Sequence, residues 1–216
     1  MTGKRIRIST KQRPGVGRPT REQQEQRSEE LLSVALDVFL ERGFELTTIE
    51  DIATEVGMSK RTVYARYEDK GTLFKAAVRR AIERYTVHRA EIEAVAGEDL
   101  EETLLAIARL RIANVSRPVV IKLQRVLSAQ SYRFPELFNA AFEEGAGPTV
   151  NFLCGLFERY SVTEPERAAT VFLSLVVGGP ARVIVSGNKL EPAEIERHIR
   201  FAVRLFLVGV QKRPTA

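Results

Sequence analysis

Two short helical segments joined through a glycine, between Thr48 and Tyr67, constrain the fold of this chain most strongly. Thr48 can cap the first segment. The apolar residues of that segment recur at helical spacing: Ile49, Ile52, Ala53 and Val56. Gly57 can adopt the left-handed conformation that a sharp turn needs, and Ser59 can cap a second helix that runs to about Tyr67. This spacing predicts a helix-turn-helix, in which the small side chain of Ala53 lets the two helices approach closely.

Helical periodicity continues on both sides of this pattern. Four longer helices are expected over Glu22–Arg42, from Asp69 to near Gly97, over Glu98–Arg117 and over Pro192–Gln211. Prolines recur along the second half of the chain, and most are expected where a helix begins. The sequence therefore predicts an all-α fold of about nine helices: an N-terminal three-helix helix-turn-helix domain and a C-terminal helical domain.

Charge divides the chain into unequal parts. Residues 1–21 carry seven lysines and arginines and no acidic residue, whereas the whole chain has a formal net charge of only +5. We expect a disordered basic arm over residues 1–20, a helix-turn-helix DNA-binding domain over 21–68, and a C-terminal helical domain over 69–216. A basic arm of this kind is typical of contact with phosphates or anionic lipid, or it is merely a solubilising end.

Several chemistries find no support in the sequence. Cys154 is the single cysteine, and neither His88 nor His198 has a partner at metal-ligand spacing, so we expect no disulfide framework and no metal site. No dinucleotide fingerprint, P-loop or local nucleophile motif is present, so we expect no cofactor and no enzymatic activity. The apolar stretch Val171–Val185 is short for a membrane span, and no signal-peptide pattern is present. The expectation is a cytoplasmic protein without a membrane partner.

The second helix of the helix-turn-helix carries the candidate recognition surface. If Val63 and Tyr67 face the core, helical geometry turns Arg61 outward and sets Thr62 and Tyr64 on the flanks. Arg61 could then bind guanine, Thr62 a thymine methyl group or a phosphate, and Tyr64 a phosphate. Two lysines could reach the DNA backbone, while one arginine is ambiguous: Lys60, Lys70 and Arg66. The alternative is an ordinary helical hairpin inside a bundle, with solvated cations.

Several runs of residues resemble the N-terminal domain of tetracycline-repressor (TetR) family regulators. They are Thr47–Ala53, Val56–Tyr64, Tyr67 with Asp69–Phe74, Gly43-Phe44, and Gly17-Arg18-Pro19. The resemblance implies a homodimeric transcription factor, usually a repressor, that a small ligand in the C-terminal domain releases from double-stranded operator DNA. It also implies that residues 69–216 form the ligand-binding and dimerisation domain. The candidate DNA-binding residues are Arg18, Thr48, Ser59, Lys60, Arg61, Thr62, Tyr64, Arg66, Tyr67 and Lys70.

The C-terminal part is similar to the AefR-like branch of that family. The similarity rests on the runs Arg125–Gln130, Arg133–Leu137 and Gly178–Pro180. It implies that the last two long helices pair with their symmetry mates, and the wide apolar stripe of the last helix supports this interpretation. Simple core burial explains the same residues. The candidate interface residues are Leu175, Val176, Gly179, Ile195, Ile199, Ala202 and Phe206.

A ligand cavity ringed by helices could recruit aromatic residues and a few polar side chains. The candidates are Tyr85, Arg109, Asn114, Arg125, Phe134, Phe138, Phe152 and Phe172, with Arg111, Phe142 and Phe157 as further members of the same group. Aromatic residues at helical spacing are also the ordinary content of a core.

Two other functions remain open at this point. One is an architectural DNA-binding dimer without an effector, which would bind DNA of any sequence in a salt-dependent way. The other is a helical enzyme or small-molecule carrier in which the N-terminal hairpin is only structural.

Overall fold

The computed structural model describes residues 20–211, which form ten α-helices and no strand. In chain order the helices are α1 (Arg21–Leu46), α2 (Ile49–Glu55), α3 (Lys60–Tyr64), α4 (Lys70–Tyr85), α5 (Arg89–Val95), α6 (Leu100–Val115), α7 (Pro118–Ala129), α8 (Pro135–Arg159), α9 (Pro165–Val185) and α10 (Pro192–Gln211). The all-α prediction is confirmed. Except for Thr20, the basic arm predicted over residues 1–20, including Arg18, lies outside the described residues.

The helices enclose two apolar cores. The N-terminal core is formed by α1 to α4 together with residues of α7 and the start of α8, and its largest fully buried side chains are Phe39 and Phe74. The C-terminal core is formed by α5, α6, the second half of α8, α9 and α10, with Phe157 and Phe172 at its centre. Because α4 packs its buried face into the N-terminal core, that core continues beyond residue 68.

The long helix α1 is interrupted near its end by Gly43. This residue has φ +76° and ψ 167°, which lie outside the helical region and favour glycine. Past the kink, Phe44 turns into the N-terminal core and the hydroxyl of Thr47 donates a hydrogen bond of 2.7 Å to the Gly43 carbonyl. The expected end of the first helix at Gly43 therefore corresponds to a real break in the helical backbone.

The single helix predicted from Asp69 to near Gly97 is wrong, since the structure has two helices there. The first, α4, ends at Tyr85, and Thr86 follows with an extended backbone (ψ 139°). The Thr86 hydroxyl donates to the Ile82 carbonyl at 2.7 Å, which satisfies one of the carbonyls that the helix end leaves free. Val87 is buried between the helices, so the break turns an apolar side chain into the core.

Most of the later prolines lie where the sequence predicts them. Pro118, Pro135, Pro165 and Pro192 are the first residues of α7, α8, α9 and α10. Two others lie inside helices: Pro148 in α8 and Pro180 in α9. An internal proline removes one backbone hydrogen bond and weakens the helix locally.

Helix α9 is unusually apolar for a helix at the surface. Over its 21 residues it is long and apolar enough, by length and composition alone, to cross a membrane, which the shorter stretch Val171–Val185 did not suggest. Only 28% of its most apolar window is buried within the chain. Helix α9 packs against α6, α7, α8 and α10, and much of its apolar surface stays exposed within the part of the chain that the structure describes.

Candidate nucleic-acid interface and internal cavity

The turn between α2 and α3 is built by local capping. Thr48 and Asp51 form a capping box at the start of α2, in which Thr48 Oγ1 accepts from the Asp51 amide at 3.1 Å. Gly57 has φ +67°, the left-handed conformation that the sequence predicts for this turn. The Met58 amide then bonds the Ala53 carbonyl at 2.8 Å, and Ser59 Oγ accepts from the Thr62 amide at 3.1 Å. The chain therefore enters α3 at a defined angle.

Helix α3 presents two different faces. Val63 is fully buried against the N-terminal core, and Tyr67 packs half-buried beside it. Ala53 of α2 is also buried, as close helix approach requires. On the opposite side Arg61 and Thr62 are exposed, and Tyr64 is 44% exposed. An anchored underside and a polar outer face are what a recognition helix needs in order to enter a major groove.

The structure brings most of the predicted DNA-binding residues to one surface. Seven are exposed around α2 and α3: Thr48, Ser59, Lys60, Arg61, Thr62, Tyr64 and Arg66. Tyr67 and Lys70 are half-buried, and Arg18 is not described. The hydroxyls of Ser59 and Thr62 lie 2.7 Å apart. Short hydroxyl and cationic side chains on one exposed face suit contacts to phosphates and base edges.

Two of the predicted cations already have partners within the chain. Lys60 forms an ion pair with Glu50 of α2, and its ammonium lies 5.6 Å from the centre of the Tyr64 ring. The Lys70 ammonium donates to the carbonyls of Phe44 and Glu45 at 2.8 and 3.2 Å. Phosphate contacts would have to replace or share these bonds.

The capping carboxylates are held in their charged form. Hydrogen bonds from the side chain and amide of Thr48 lower the pKa of Asp51. Hydrogen bonds from Thr72 at the start of α4 lower the pKa of Asp69. The helix starts on both sides of α3 therefore keep their charged caps at neutral pH.

A second site lies inside the C-terminal part. A cavity of about 660 Å³ is bounded by α4, α6, α7, α8 and α9. Its walls are mostly apolar, and Phe142, which lines it, is 65% exposed. Gly145 and Gly147 of α8 and Gly178 of α9 line the cavity. A Cβ added at any of these three glycines would meet nothing within 4 Å. The space falls within the usual range for a small-molecule site.

Three of the predicted ligand-binding residues line this cavity: Tyr85, Asn114 and Phe138. Arg111 and Phe142, from the wider group, line it as well. Asn114 Nδ2 donates to the Tyr85 carbonyl at 2.9 Å, which joins α6 to the end of α4. The polar lining residues Gln124, Ser128, Ser174 and Arg182 were not foreseen. The glycines around Pro148 were the one visible signal of open space.

The structure places the other ligand candidates elsewhere. Arg109 points away from the cavity and pairs with Glu196 of α10 at 2.6 Å. Arg125 is exposed and its Nε donates to the Val185 carbonyl at 2.8 Å. The remaining aromatic candidates pack in the two cores: Phe134 in the N-terminal core, and Phe152, Phe157 and Phe172 in the C-terminal core.

The interface candidates divide between two faces of α9 and α10. Four are buried within their own chain: Val176, Ile199, Ala202 and Phe206. Leu175 and Ile195 are half-buried, and Gly179 is exposed. The expected stripe of α10 thus faces the C-terminal core, because Phe206 packs against Phe157 and Phe172 with ring centres 5.2 and 5.1 Å away. Other apolar side chains are exposed instead.

These exposed side chains form an outer apolar face, defined by Val171 of α9 and by Phe201, Leu205 and Val208 of α10. Their exposed fractions are 53%, 63%, 49% and 48%. The two helices run antiparallel, since Phe172 lies against Phe206 and the Val176 carbonyl lies 2.9 Å from His198 Nε2. This direction places Val171 at the same end of the helix pair as Leu205 and Val208.

Two family models match the chain. Residues 31–77 match the model described as bacterial regulatory proteins, tetR family. Residues 102–209, half of the chain, match the C-terminal domain of AefR-like transcriptional repressors. The first match contains α2 and α3, and the second contains nearly all of the cavity walls.

Individual relatives agree with the family models. The chain is 36% identical over 59 residues to an uncharacterized HTH-type transcriptional regulator of Bacillus subtilis, YfiR, a match that spans 27% of this chain and 29% of that protein. Among solved structures, it is similar to a protein from Mesorhizobium loti described as a TetR-family transcriptional regulator, with a TM-score of 0.75 and 27% identity over 88% of this chain and 98% of the other. The flavonoid-responsive regulator FrrA has a TM-score of 0.67 and 28% identity, over 89% of this chain and all of that chain.

An exposed recognition helix and these matches together define a helix-turn-helix transcriptional regulator that binds DNA. The chain belongs to the TetR family and carries an AefR-like C-terminal domain.

Proposed function

We propose that this protein is a homodimeric repressor that binds a pseudo-palindromic operator and is released by a small molecule bound in the internal cavity. The proposal rests on one observation: the same two helices contact both the cavity and the N-terminal core. Helices α7 and α8 line the cavity, and at their junction Phe134 inserts into the N-terminal core beneath the helix-turn-helix. A ligand that moves either helix would therefore act on the domain that binds DNA.

Contacts around that junction support a mechanical link. The guanidinium of Arg133 lies 4.7 Å from the centre of the Phe44 ring and pairs with Glu45 at 3.1 Å. Lys75 of α4 pairs with Glu136 of α8 at 2.7 Å. A shift of the α7–α8 junction would change the position of the end of α1 and of α4, between which α2 and α3 are held. Operator affinity would then change without contact between ligand and DNA.

The outer apolar face supports a dimer. A second copy would cover the apolar side chains of α9 and α10 through a two-fold axis, and the four helices would form one interface. Leu175 and Gly179 lie on the same side of α9 as Val171, so these two interface candidates remain part of the proposal. Two α3 helices would then reach successive major grooves about 34 to 36 Å apart, or somewhat further for a longer operator.

The direction of regulation and the type of ligand are supported by the relatives. The C-terminal family is described as one of transcriptional repressors, and FrrA is described as responsive to flavonoids. A cavity of this size argues against an architectural DNA-binding protein without an effector. We further propose that residues 21–68 bind DNA, that residues 69–216 bind ligand and dimerise, and that the basic arm adds phosphate contacts. The protein would act in the cytoplasm and not as an enzyme.

The proposal is tested in two stages. Sites are first selected from random double-stranded DNA with the full-length protein, and small molecules are then screened for release of the best site. The expected result is a two-fold symmetric site and at least one compound that lowers operator affinity without binding DNA. Enrichment of no sequence, or release only by compounds that unfold the protein, would contradict the proposal.

A further inference from the structure

One side chain of the cavity differs from all the others. Arg111 of α6 lines the cavity and is 7% exposed. Its Nη1 donates to the Gly145 carbonyl of α8 at 2.9 Å. Its Nε is buried and has no hydrogen-bond partner in the described part of the chain. A buried donor of this kind is uncommon in folded proteins, where nearly all such groups are paired.

No carboxylate neutralises this guanidinium among residues 20–210. Burial alone lowers the pKa of Arg111 to about 10, and no neighbouring charge contributes to that shift. Arg111 is therefore still protonated at neutral pH. The cavity lining includes one acidic residue, Glu143, and it is exposed at the surface. A cation enclosed without a counter-ion is unfavourable, and an anion that enters the cavity would remove that penalty.

The other residues that line the cavity determine which kind of ligand fits it. The lining includes many aliphatic side chains, among them Leu123, Leu127, Val150 and Leu173, together with a few neutral polar residues. The other arginine of the lining, Arg182, is exposed. The cavity thus combines one buried cation with a large apolar volume, which suits a molecule that is apolar over most of its surface and anionic at one end.

We infer that the effector is an amphipathic organic anion whose apolar body fills the cavity and whose carboxylate, or a similar oxyanion, accepts a hydrogen bond from Arg111. This inference rests on the proposed function of the cavity as the effector site. The anion would accept a hydrogen bond from Nε of Arg111, while Nη1 keeps its hydrogen bond to the Gly145 carbonyl. The glycines and Pro148 of α8 lie directly beside that contact, so the charged end of the ligand would meet the weakest part of the helix.

The test uses two fluorescent probes of the same shape. 8-Anilino-1-naphthalenesulfonate is an anion, and N-phenyl-1-naphthylamine is its neutral counterpart. Both are titrated into full-length wild type, Arg111→Met and the matched control Arg109→Met. Arg109 lies on the same helix but faces Glu196 instead of the cavity. Thermal unfolding of each variant, with and without the anionic probe, reports folding and binding independently.

The expected result is a loss of anion preference in Arg111→Met. Its affinity for the sulfonate should fall about tenfold or more, with little change for the neutral probe, because a charge-assisted hydrogen bond is removed. Arg109→Met should bind both probes as wild type does. The melting temperature of Arg111→Met without probe should be equal to or higher than that of wild type, since an unpaired buried charge is replaced by an apolar side chain.

Three outcomes would overturn the inference. If Arg111→Met binds the sulfonate as wild type does, Arg111 is not the anion site, and the proposed effector cavity is unaffected. If Arg111→Met melts lower and loses both probes equally, Arg111 only holds α8 in place. If wild type binds neither probe, the ligand-binding part of the proposed function fails as well.

Discussion

The ring of Phe134 lies edge-on to the ring of Phe44, with 5.2 Å between the ring centres and 76° between the planes. Phe134 precedes α8, whereas Phe44 follows the kink of α1. Phe74 of α4 lies 5.2 Å from Phe134 and completes the cluster. Aromatic pairs of this geometry add stability beyond their buried area. The junction between the two cavity helices is therefore part of the core that supports the helix-turn-helix.

Replacing Phe134 should separate ligand binding from DNA release. Phe134→Ala should lower the free energy of unfolding by about 3 to 5 kcal/mol, as for other buried phenylalanines, in a urea titration. The milder Phe134→Leu should fold and bind both ligand and operator, but the ligand should change operator affinity less than in wild type. Phe157→Leu, a matched change in the C-terminal core, should keep the full ligand effect. Equal ligand effects in Phe134→Leu and wild type would contradict this link.

The turn between α2 and α3 should depend on glycine at position 57. Gly57 is exposed and an added Cβ meets nothing within 4 Å, so the effect of Gly57→Ala comes from φ +67° alone. We expect a loss of about 1 to 2 kcal/mol in unfolding free energy. Gly155→Ala is the control, because Gly155 is an exposed helical glycine with equal space around it. That change should stabilise the protein by about 0.5 to 1 kcal/mol. If both substitutions change the unfolding free energy in the same direction, the left-handed conformation of Gly57 would be contradicted.

Charge placed on the outer apolar face should dissociate the proposed dimer. Phe201→Glu and Leu205→Glu would each bury an unpaired carboxylate in the interface, and the dimer dissociation constant should rise about tenfold or more. Sedimentation velocity over a range of concentrations measures this constant. Tyr132→Glu is the control, since Tyr132 is fully exposed and lies between α7 and α8. A dimer that survives both charged variants would place the interface elsewhere.

The cap of α4 should make stability depend on acid pH. Hydrogen bonds from Thr72 lower the pKa of Asp69 below its ordinary value of 3.8 in the folded chain. A carboxyl group with a lowered folded pKa stabilises the protein above pH 3.8, and this contribution is lost as the pH falls through the folded pKa. The difference in melting temperature between wild type and Asp69→Asn should therefore shrink below about pH 4. Glu68→Gln, at the exposed neighbouring residue, is the control. A melting-temperature difference between wild type and Asp69→Asn that is independent of pH would refute the charged cap.

The parts of the structure that the sequence predicted are those decided by local chemistry. Thr48, Gly57 and Ser59 act within three or four residues of their own positions, so the helix-turn-helix was readable in advance. The break after Tyr85 was not, because it depends on Val87 finding a place in the C-terminal core. The sequence predicts that most of the later prolines begin helices but does not say which do not, and Pro148 and Pro180 lie inside α8 and α9, where surrounding helices hold the backbone together.

The binding faces depended on tertiary contacts that periodicity does not contain. A stripe on α10 can face the core or a second copy, and the sequence leaves both open for Phe206, which the structure places in the C-terminal core. Arg109 and Arg111 are two residues apart on α6, yet one pairs with Glu196 and the other lines the cavity. Helical spacing separates such residues onto different faces but does not say what each face meets.

Substitution of Arg61 decides whether the outer face of α3 reads DNA sequence. Affinities of wild type, Arg61→Ala, Lys70→Ala and the remote control Arg167→Ala are measured by fluorescence anisotropy at one salt concentration, on a site selected from random DNA and on its scrambled version. Arg61→Ala should lose about 1 to 3 kcal/mol on the selected site and much less on scrambled DNA. Lys70→Ala should weaken both about equally, and Arg167→Ala neither. An equal loss from Arg61→Ala on both DNAs, or no loss at all, would contradict the account.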